Sequence, residues 1–345
     1  MGCIYTAYFF KNWRVIILKR IYLLITNKCN LACTMCIRGE NQNKEMIFEE
    51  FKEIFDKENT SDIEIVITGG EPTLHPDFIN FIKYSSKKFK KVLIATNGVV
   101  NRYIDSIKDM ENIIFQISLD GNRESHDRIR GRKSFDKIIE TIKKMEATNL
   151  KYCIASVVGK HNYKDIHNLI PILREFKGMK FWKISYEMPF GNAQYDEIFS
   201  SKEWNQFVDD ILEKVDFPLN IKKIFPLEIY EKNWDKIPKN KRIRCLNCGS
   251  GKDKIYIYPD FNVYPCTCLT EFCIGNVKNQ KLKDIVLGEK NNNFYNYKLS
   301  KESYCNQCKY REICNGGCIG MSYNILGKLG LGDIRCPILR EKYGK

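Results

Sequence analysis

From residue 21 to about 190 the chain alternates short apolar runs with longer stretches in which apolar residues recur every three or four positions. The runs are "IYLLIT" (Ile21 to Thr26), "IEIVIT" (Ile63 to Thr68), "KVLIAT" (Lys91 to Thr96), "IIFQISL" (Ile113 to Leu119), "YCIASVV" (Tyr152 to Val158) and "KFWKISY" (Lys180 to Tyr186). Helical spacing fills the gaps, as in Phe48, Phe51, Ile54 and Phe55, or Phe135, Ile138, Ile139, Ile142 and Met145. Six strand-then-helix units in a row predict an α/β fold with a parallel sheet, curled into a partial (βα)6 barrel or left open. The turns that follow the strands, "NKCN", "GGEP", "NGVV", "DGNRESHDR", "GKHN" and "EMPFGN", then share the carboxyl edge of the sheet, where ligand sites form in such folds.

Outside that region the pattern changes. Residues 1–20 contain apolar pieces broken by Lys11, Arg14, Lys19 and Arg20, too short for the roughly 20 residues that span a bilayer. The expectation is a hairpin pairing Tyr5 to Phe10 with Val15 to Leu18. "MGCIYT" also fits the loose myristoylation pattern. Residues 201–240 read as a helical linker. From 241 to 345 periodicity fades into short strands ("KIYIYP", "FNVYPC") and one helix at "KLKDIVLG". Such a segment is expected to lean on bound metal rather than on a core of its own.

Composition sharpens this picture. The 56 basic and 42 acidic side chains give +14, which favours an acidic partner, but the lysines are scattered, as on a solvated surface. Fifteen cysteines without a secretory signal point to free or metal-bound thiols in the cytoplasm rather than to disulfides.

Three cysteines, Cys29, Cys33 and Cys36 in "CNLACTMC", follow the first strand. A cubane iron-sulfur cluster takes one ligand per iron, so three thiolates would leave the fourth iron open to a cofactor. The alternative is one buried face of a helix. This spacing, followed in order by "TGGEPTLHP", "TNG", "SLDG" and "HDRIRGRKSFD", resembles the radical SAM superfamily. The resemblance implies a core over residues 21–200 in which S-adenosylmethionine chelates the open iron. One electron then yields a 5′-deoxyadenosyl radical that abstracts a substrate hydrogen. It further implies that Gly69 and Gly70 let the backbone approach the methionyl end and that Glu71 accepts from its ammonium group. Ser118 would face the methionyl or ribose end, and Arg130 would pair with the carboxylate. Asn97, with Gly98, would join the binding edge or form only a turn. Met35 stands where the family usually has an aromatic residue.

The carboxyl-terminal run "CNQCKYREICNGGC" looks like the SPASM domain, whose members modify ribosomal peptides or proteins and carry two auxiliary [4Fe-4S] clusters. By that resemblance Cys245, Cys248, Cys266 and Cys318 hold the first, and Cys305, Cys308, Cys314 and Cys336 the second. With the radical site this makes three [4Fe-4S] clusters. Paired CxxC motifs also make zinc sites. Cys153 reads as a small core residue. Phe261 stands where the family has glycine, so Asp260 or Asn262 is expected to take the left-handed turn.

The expected activity is oxidative modification of a ribosomal peptide or small protein, forming a thioether or carbon-carbon crosslink. Thr267, where sulfatase-maturing members carry aspartate, speaks against formylglycine formation. Only about twenty residues precede the first core strand, so a leader peptide, if one is used, is expected to need a separate leader-peptide-binding protein or the barrel itself; the electron donor is expected to be of the flavodoxin or ferredoxin type. Cys268 and Cys273 in "PCTCLTEFC" are candidate hydrogen donors, which would make a peptide epimerase; a radical oxidoreductase on a small molecule is a further alternative. From another class comes a zinc-stabilised basic protein that binds nucleic acid. The peptide-modifying reading involves no nucleic acid and no membrane.

Overall fold

The computed structural model describes residues 18–38, 43–193, 198–233, 235 and 248–343. The expected hairpin over residues 1–20 falls almost wholly outside these, as does Cys245.

Ten strands form one sheet in the order β10-β9-β8-β1-β2-β3-β4-β5-β6-β7. The first six are β1 (Arg20–Thr26), β2 (Glu64–Gly69), β3 (Lys91–Thr96), β4 (Ile113–Ser118), β5 (Tyr152–Val158) and β6 (Met179–Tyr186), each pairing parallel with the next. Period-2 alternation explains which face each side chain takes. Ile21, Leu23, Ile65, Ile67, Val92, Ile94, Phe115, Ile117, Ile154, Trp182 and Ile184 join one buried core. Into that core the helices α1 (Phe48–Asp56), α2 (Phe78–Lys88) and α4 (Ser134–Ala147) send Phe51, Phe55, Phe81, Ile82, Ile138 and Ile142. Between β3 and β4 the link is only a 3-10 turn, Ile104–Ser106, where a regular strand-then-helix alternation predicts a helix.

Helix α3 (Arg123–Arg130) is started by Asn122, whose side chain accepts from Ser125 N. Helices α5 (Leu169–Arg174) and α6 (Ser201–Lys214) follow β5 and β6. Within the stretch 201–240, expected to be a helical linker, the described residues also pack. Trp204, Phe207, Val208 and Ile211 are buried in the main core, and β7 (Leu219–Asn220) pairs parallel with β6. A helix with one apolar face packs rather than spans. Helix α7 (Leu227–Asn233) comes next.

The carboxyl-terminal region is not a separate layer. Strand β8 (Lys254–Ile257) pairs parallel with the free edge of β1, and the short β9 (Asn262–Tyr264) and β10 (Gly275–Asn276) continue the sheet antiparallel. Ile255, Ile257, Phe261, Val263, Leu269, Ile285 and Phe294 enter the same core as the barrel. The thinner periodicity of this segment thus understated its packing.

Phe261 itself takes the left-handed conformation, φ +65°, not Asp260 or Asn262. Its ring is 1% exposed, and Lys278 Nζ lies 4.7 Å from the ring centroid. Burying a phenylalanine stabilises by about 1.5–3 kcal/mol, which offsets the roughly 1–2 kcal/mol of left-handed strain. Asp260 serves the turn instead by accepting from Asn262 N at 3.1 Å.

Candidate functional site

The loop carrying Cys29, Cys33 and Cys36 leaves the carboxyl end of β1 and is gripped from four directions. From β2, Gly70 N donates to Thr26 O and Glu71 N to Lys28 O, both at 2.8 Å. From β3, Asn97 Nδ2 donates to Asn30 Oδ1 at 2.8 Å. The end of α3 accepts from Thr34 N through Ile129 O at 3.0 Å. Beyond β6, Asn192 N donates to Cys36 O at 2.9 Å and its side chain to Cys33 O at 3.2 Å.

The approach of β2 is close. A Cβ on Gly70 would lie 2.4 Å from Lys28 O and 2.8 Å from Asn27 O, and one on Gly69 would lie 2.2 Å from Thr26 O. The pair therefore makes room for the backbone from Thr26 to Lys28, which leads into the cysteine loop. Gly191, φ +67°, does the same opposite Cys36 O.

Glu71 is 1% exposed, and its carboxylate is held within the chain. Oε1 accepts from Thr73 N (3.1 Å), Thr73 Oγ1 (2.6 Å) and Thr96 Oγ1 (2.7 Å), and Oε2 accepts from Asn97 N (2.7 Å). Burial pushes its pKa up while these donors pull it back. Glu71 fastens β2 to β3, and Oε2, with a single donor, retains accepting capacity.

Arg130 has an in-chain partner too. Its Nε donates to Asp120 Oδ2, and Nη1 lies 3.9 Å from Cys33 Sγ. Asp120, fully buried, also accepts from Val157 N at 2.7 Å through Oδ1. Burial pushes the Cys33 thiol up, and Arg130 draws it back down. Sequence reasoning singles out "SLDG" but not the partnership of its aspartate with Arg130. Ser118 stands at the carboxyl end of β4, half-buried.

His126 on α3 is fully buried; its Nδ1 accepts from Asp120 N at 3.1 Å, and Nε2 has no hydrogen-bond partner among the described residues. Burial pulls its pKa down to about 4, against about 6.5 when unfolded. Between those values the unfolded chain binds the extra proton, so stability is full above about pH 6.5 and falls as pH drops through 4, by about 3 kcal/mol in all. Urea midpoints measured from pH 7 to 4 should show that loss, and His126→Gln should flatten it; parallel curves would refute this account.

The remaining cysteines form two groups. Cys305, Cys308, Cys314 and Cys336 all line one narrow cavity, together with Phe225, Tyr310 and Leu339. The other group is at the barrel's β8 edge. Cys318 interacts electrostatically with Cys248 and Cys266, and Cys268 N donates to Cys266 Sγ at 3.5 Å. Half-buried Lys254 adds a cation here: desolvation lowers its pKa, but Cys248, Tyr22 and Cys266 raise it past the usual lysine value.

Between the groups stand two residues that sequence reasoning missed. Asp333 lines the cavity of the first group and accepts from Cys318 N in the second at 3.1 Å. Arg335 pairs with Asp333 at 2.6 Å, stacks over Tyr186 at 5.1 Å and reaches Met188 Sδ at 3.3 Å. The charged pair just before Cys336 in "GDIRC" was the available signal. Cys273 is exposed, with Sγ 3.4 Å from Gly275 O, and Cys153 is buried in β5.

A largely parallel sheet with a clamped three-cysteine loop at its carboxyl edge and two further thiol groups defines a class, and comparison agrees. Residues 23–170 match the Radical SAM superfamily. Residues 248–309 match the iron-sulfur cluster-binding domain SPASM. The chain is thus a radical SAM protein with a SPASM domain. It is 31% identical over 273 residues to the antilisterial bacteriocin subtilosin biosynthesis protein AlbA of Bacillus subtilis, covering 76% of this chain and 58% of AlbA. It is 24% identical to the Fe-coproporphyrin III synthase of Methanosarcina barkeri, covering 93% of this chain and 88% of that one. Among solved structures, Streptococcus suis SuiB bound to precursor peptide SuiA superposes with a TM-score of 0.78 at 17% identity, covering 94% of this chain and 77% of that one. The two domains imply S-adenosylmethionine and iron-sulfur clusters. Among the described residues no helix is long and apolar enough to cross a membrane.

Proposed function

We propose that this chain cleaves S-adenosylmethionine reductively at a cluster on Cys29, Cys33 and Cys36 and oxidatively modifies a ribosomal peptide or small protein, forming a thioether or carbon-carbon crosslink. The observation that carries this is the fourfold clamp on the cysteine loop at the barrel's carboxyl edge, with two more thiol groups built onto the same sheet. The thiol-only donor sets fit iron-sulfur ligation. When bound, the cluster and S-adenosylmethionine supply the one-electron chemistry. The chain's own residues do the rest. Arg130, oriented by Asp120, sets the charge beside Cys33. Glu71 locks β2 to β3 so that Gly70 and Asn97 hold the loop, and Ser118 faces the same edge. Two auxiliary clusters, on Cys305, Cys308, Cys314 and Cys336 and around Cys248, Cys266 and Cys318, would accept the electron left on the substrate. AlbA's role in bacteriocin biosynthesis and SuiB's precursor peptide support a peptide substrate.

A second reading, a carboxylate-bearing small molecule, is favoured by Lys183. It lies on the sheet face turned away from the helix-packed core, and its Nζ donates to Gln116 Oε1 at 3.2 Å. The similarity to the coproporphyrin synthase points the same way.

Protein purified and reconstituted without oxygen should hold about twelve irons per chain and release 5′-deoxyadenosine on reduction. Iron near four with zinc making up the rest would remove the auxiliary clusters, and with them the peptide substrate.

A further inference from the structure

Five cysteines compete for the first auxiliary site, where a cubane accepts four. Cys245 lies outside the described residues, so the visible set is Cys248, Cys266, Cys318 and one unassigned thiol, that of Cys268. Cys268 follows Cys266 by two positions in a single turn, and its N–H already donates to Cys266 Sγ at 3.5 Å. On its other side it meets the helix Ile319–Leu326, which begins at Cys318. A Cβ on Gly320 would lie 3.1 Å from Cys268 Cβ and 3.7 Å from Cys318 Sγ, so the two cysteines flank one glycine. The backbone of Cys268 is fixed there by Asn324 Nδ2, which donates to its carbonyl at 2.7 Å. Cys268 and Cys318 also pack together against the apolar cluster of Phe190, Met321 and Ile334, with Met188 and Ile37 beside them. Ile37 directly follows Cys36 in the radical-site loop. Cys273 shows none of this: it is exposed and turned to Gly275 O.

We infer that Cys268 is a ligand of the first auxiliary cluster, completing a set with Cys248, Cys266 and Cys318, rather than a hydrogen donor. On binding, the thiol loses its proton to solvent and forms one iron-sulfur bond, with no change in oxidation state. The set then has its four ligands without Cys245. The inference rests on reading this region as a cluster site.

The test uses the full chain with Cys29, Cys33 and Cys36 all changed to alanine, so that only auxiliary clusters contribute. In that background Cys268→Ser should keep about eight irons while shifting the EPR g-values and midpoint potential of one cluster, because oxygen replaces sulfur on one iron. Cys268→Ala should lose iron or show a three-iron signal, and Cys245→Ala and Cys273→Ala should match the parent. Iron counts and EPR spectra of both Cys268 variants superimposable on the parent would overturn the inference alone. A parent that binds zinc instead of iron would overturn the cluster reading as well.

Discussion

Gly70→Ala should lower reductive cleavage of S-adenosylmethionine by at least about a hundredfold, since displacements near 1 Å at a reacting centre cost that much. The added methyl carbon would sit 2.4 Å from Lys28 O and 2.7 Å from Lys28 C, both backbone atoms that cannot rotate away. Relief requires the β2 edge and the cysteine loop to part. That breaks the Gly70–Thr26 and Glu71–Lys28 hydrogen bonds and moves Cys29, the next residue. Overpacking of this kind destabilises by about 1–3 kcal/mol, so the chain should still fold and carry its auxiliary iron. 5′-Deoxyadenosine formation, measured beside iron content, decides the matter: a Gly70→Ala enzyme cleaving near the parent rate would show that the contact is not what holds the loop.

Asp120→Ala should produce the largest stability loss among single polar changes at the site, about 3–5 kcal/mol, the usual cost of breaking a buried pair from one side. The substitution strands the Arg130 guanidinium, whose side chain is only 11% exposed, and removes the acceptor of Val157 N. It also leaves an unbalanced cation beside Cys33, so cofactor affinity should change with stability. Adding Arg130→Met should recover part of the stability but not the activity. Chemical denaturation of the single and double variants measures this, and a loss under about 1 kcal/mol for Asp120→Ala would mean the pair behaves as an exposed one.

These two sites show where sequence reasoning succeeds and where it stops. The strand runs and the turns after them are periodic, local features, and β3 and β5 span the same residues in the fold as in the apolar pattern. Cysteine spacing is equally local, which is why Cys305, Cys308 and Cys314 group together on spacing alone. What could not be read is where a polar side chain finds its partner. Glu71, expected to face the cofactor, is held by Thr96 and Asn97 on the next strand. Arg130, expected to pair with the cofactor's carboxylate, also has the carboxylate of Asp120 as a partner within the chain. Gly69 and Gly70, expected to bring the backbone near the cofactor, also lie close against the backbone of Thr26 and Lys28, a contact that only the fold reveals. The left-handed Phe261 follows the same logic, since ring burial outweighs a backbone preference and only packing reveals that.

The pairing of Arg20 with Lys254, and of Leu23 with Ile257, sets a timetable for how the molecule is made. On a ribosome, β1 emerges first and gains β2 early, but its other edge stays open until nearly three quarters of the chain has been synthesised. Such late, long-range closure is slow and leaves an unpaired strand edge prone to aggregation. An expression host that supplies chaperones and delays iron delivery until β8 has docked should therefore yield more soluble protein than one that loads the early cysteine loop while that edge is bare.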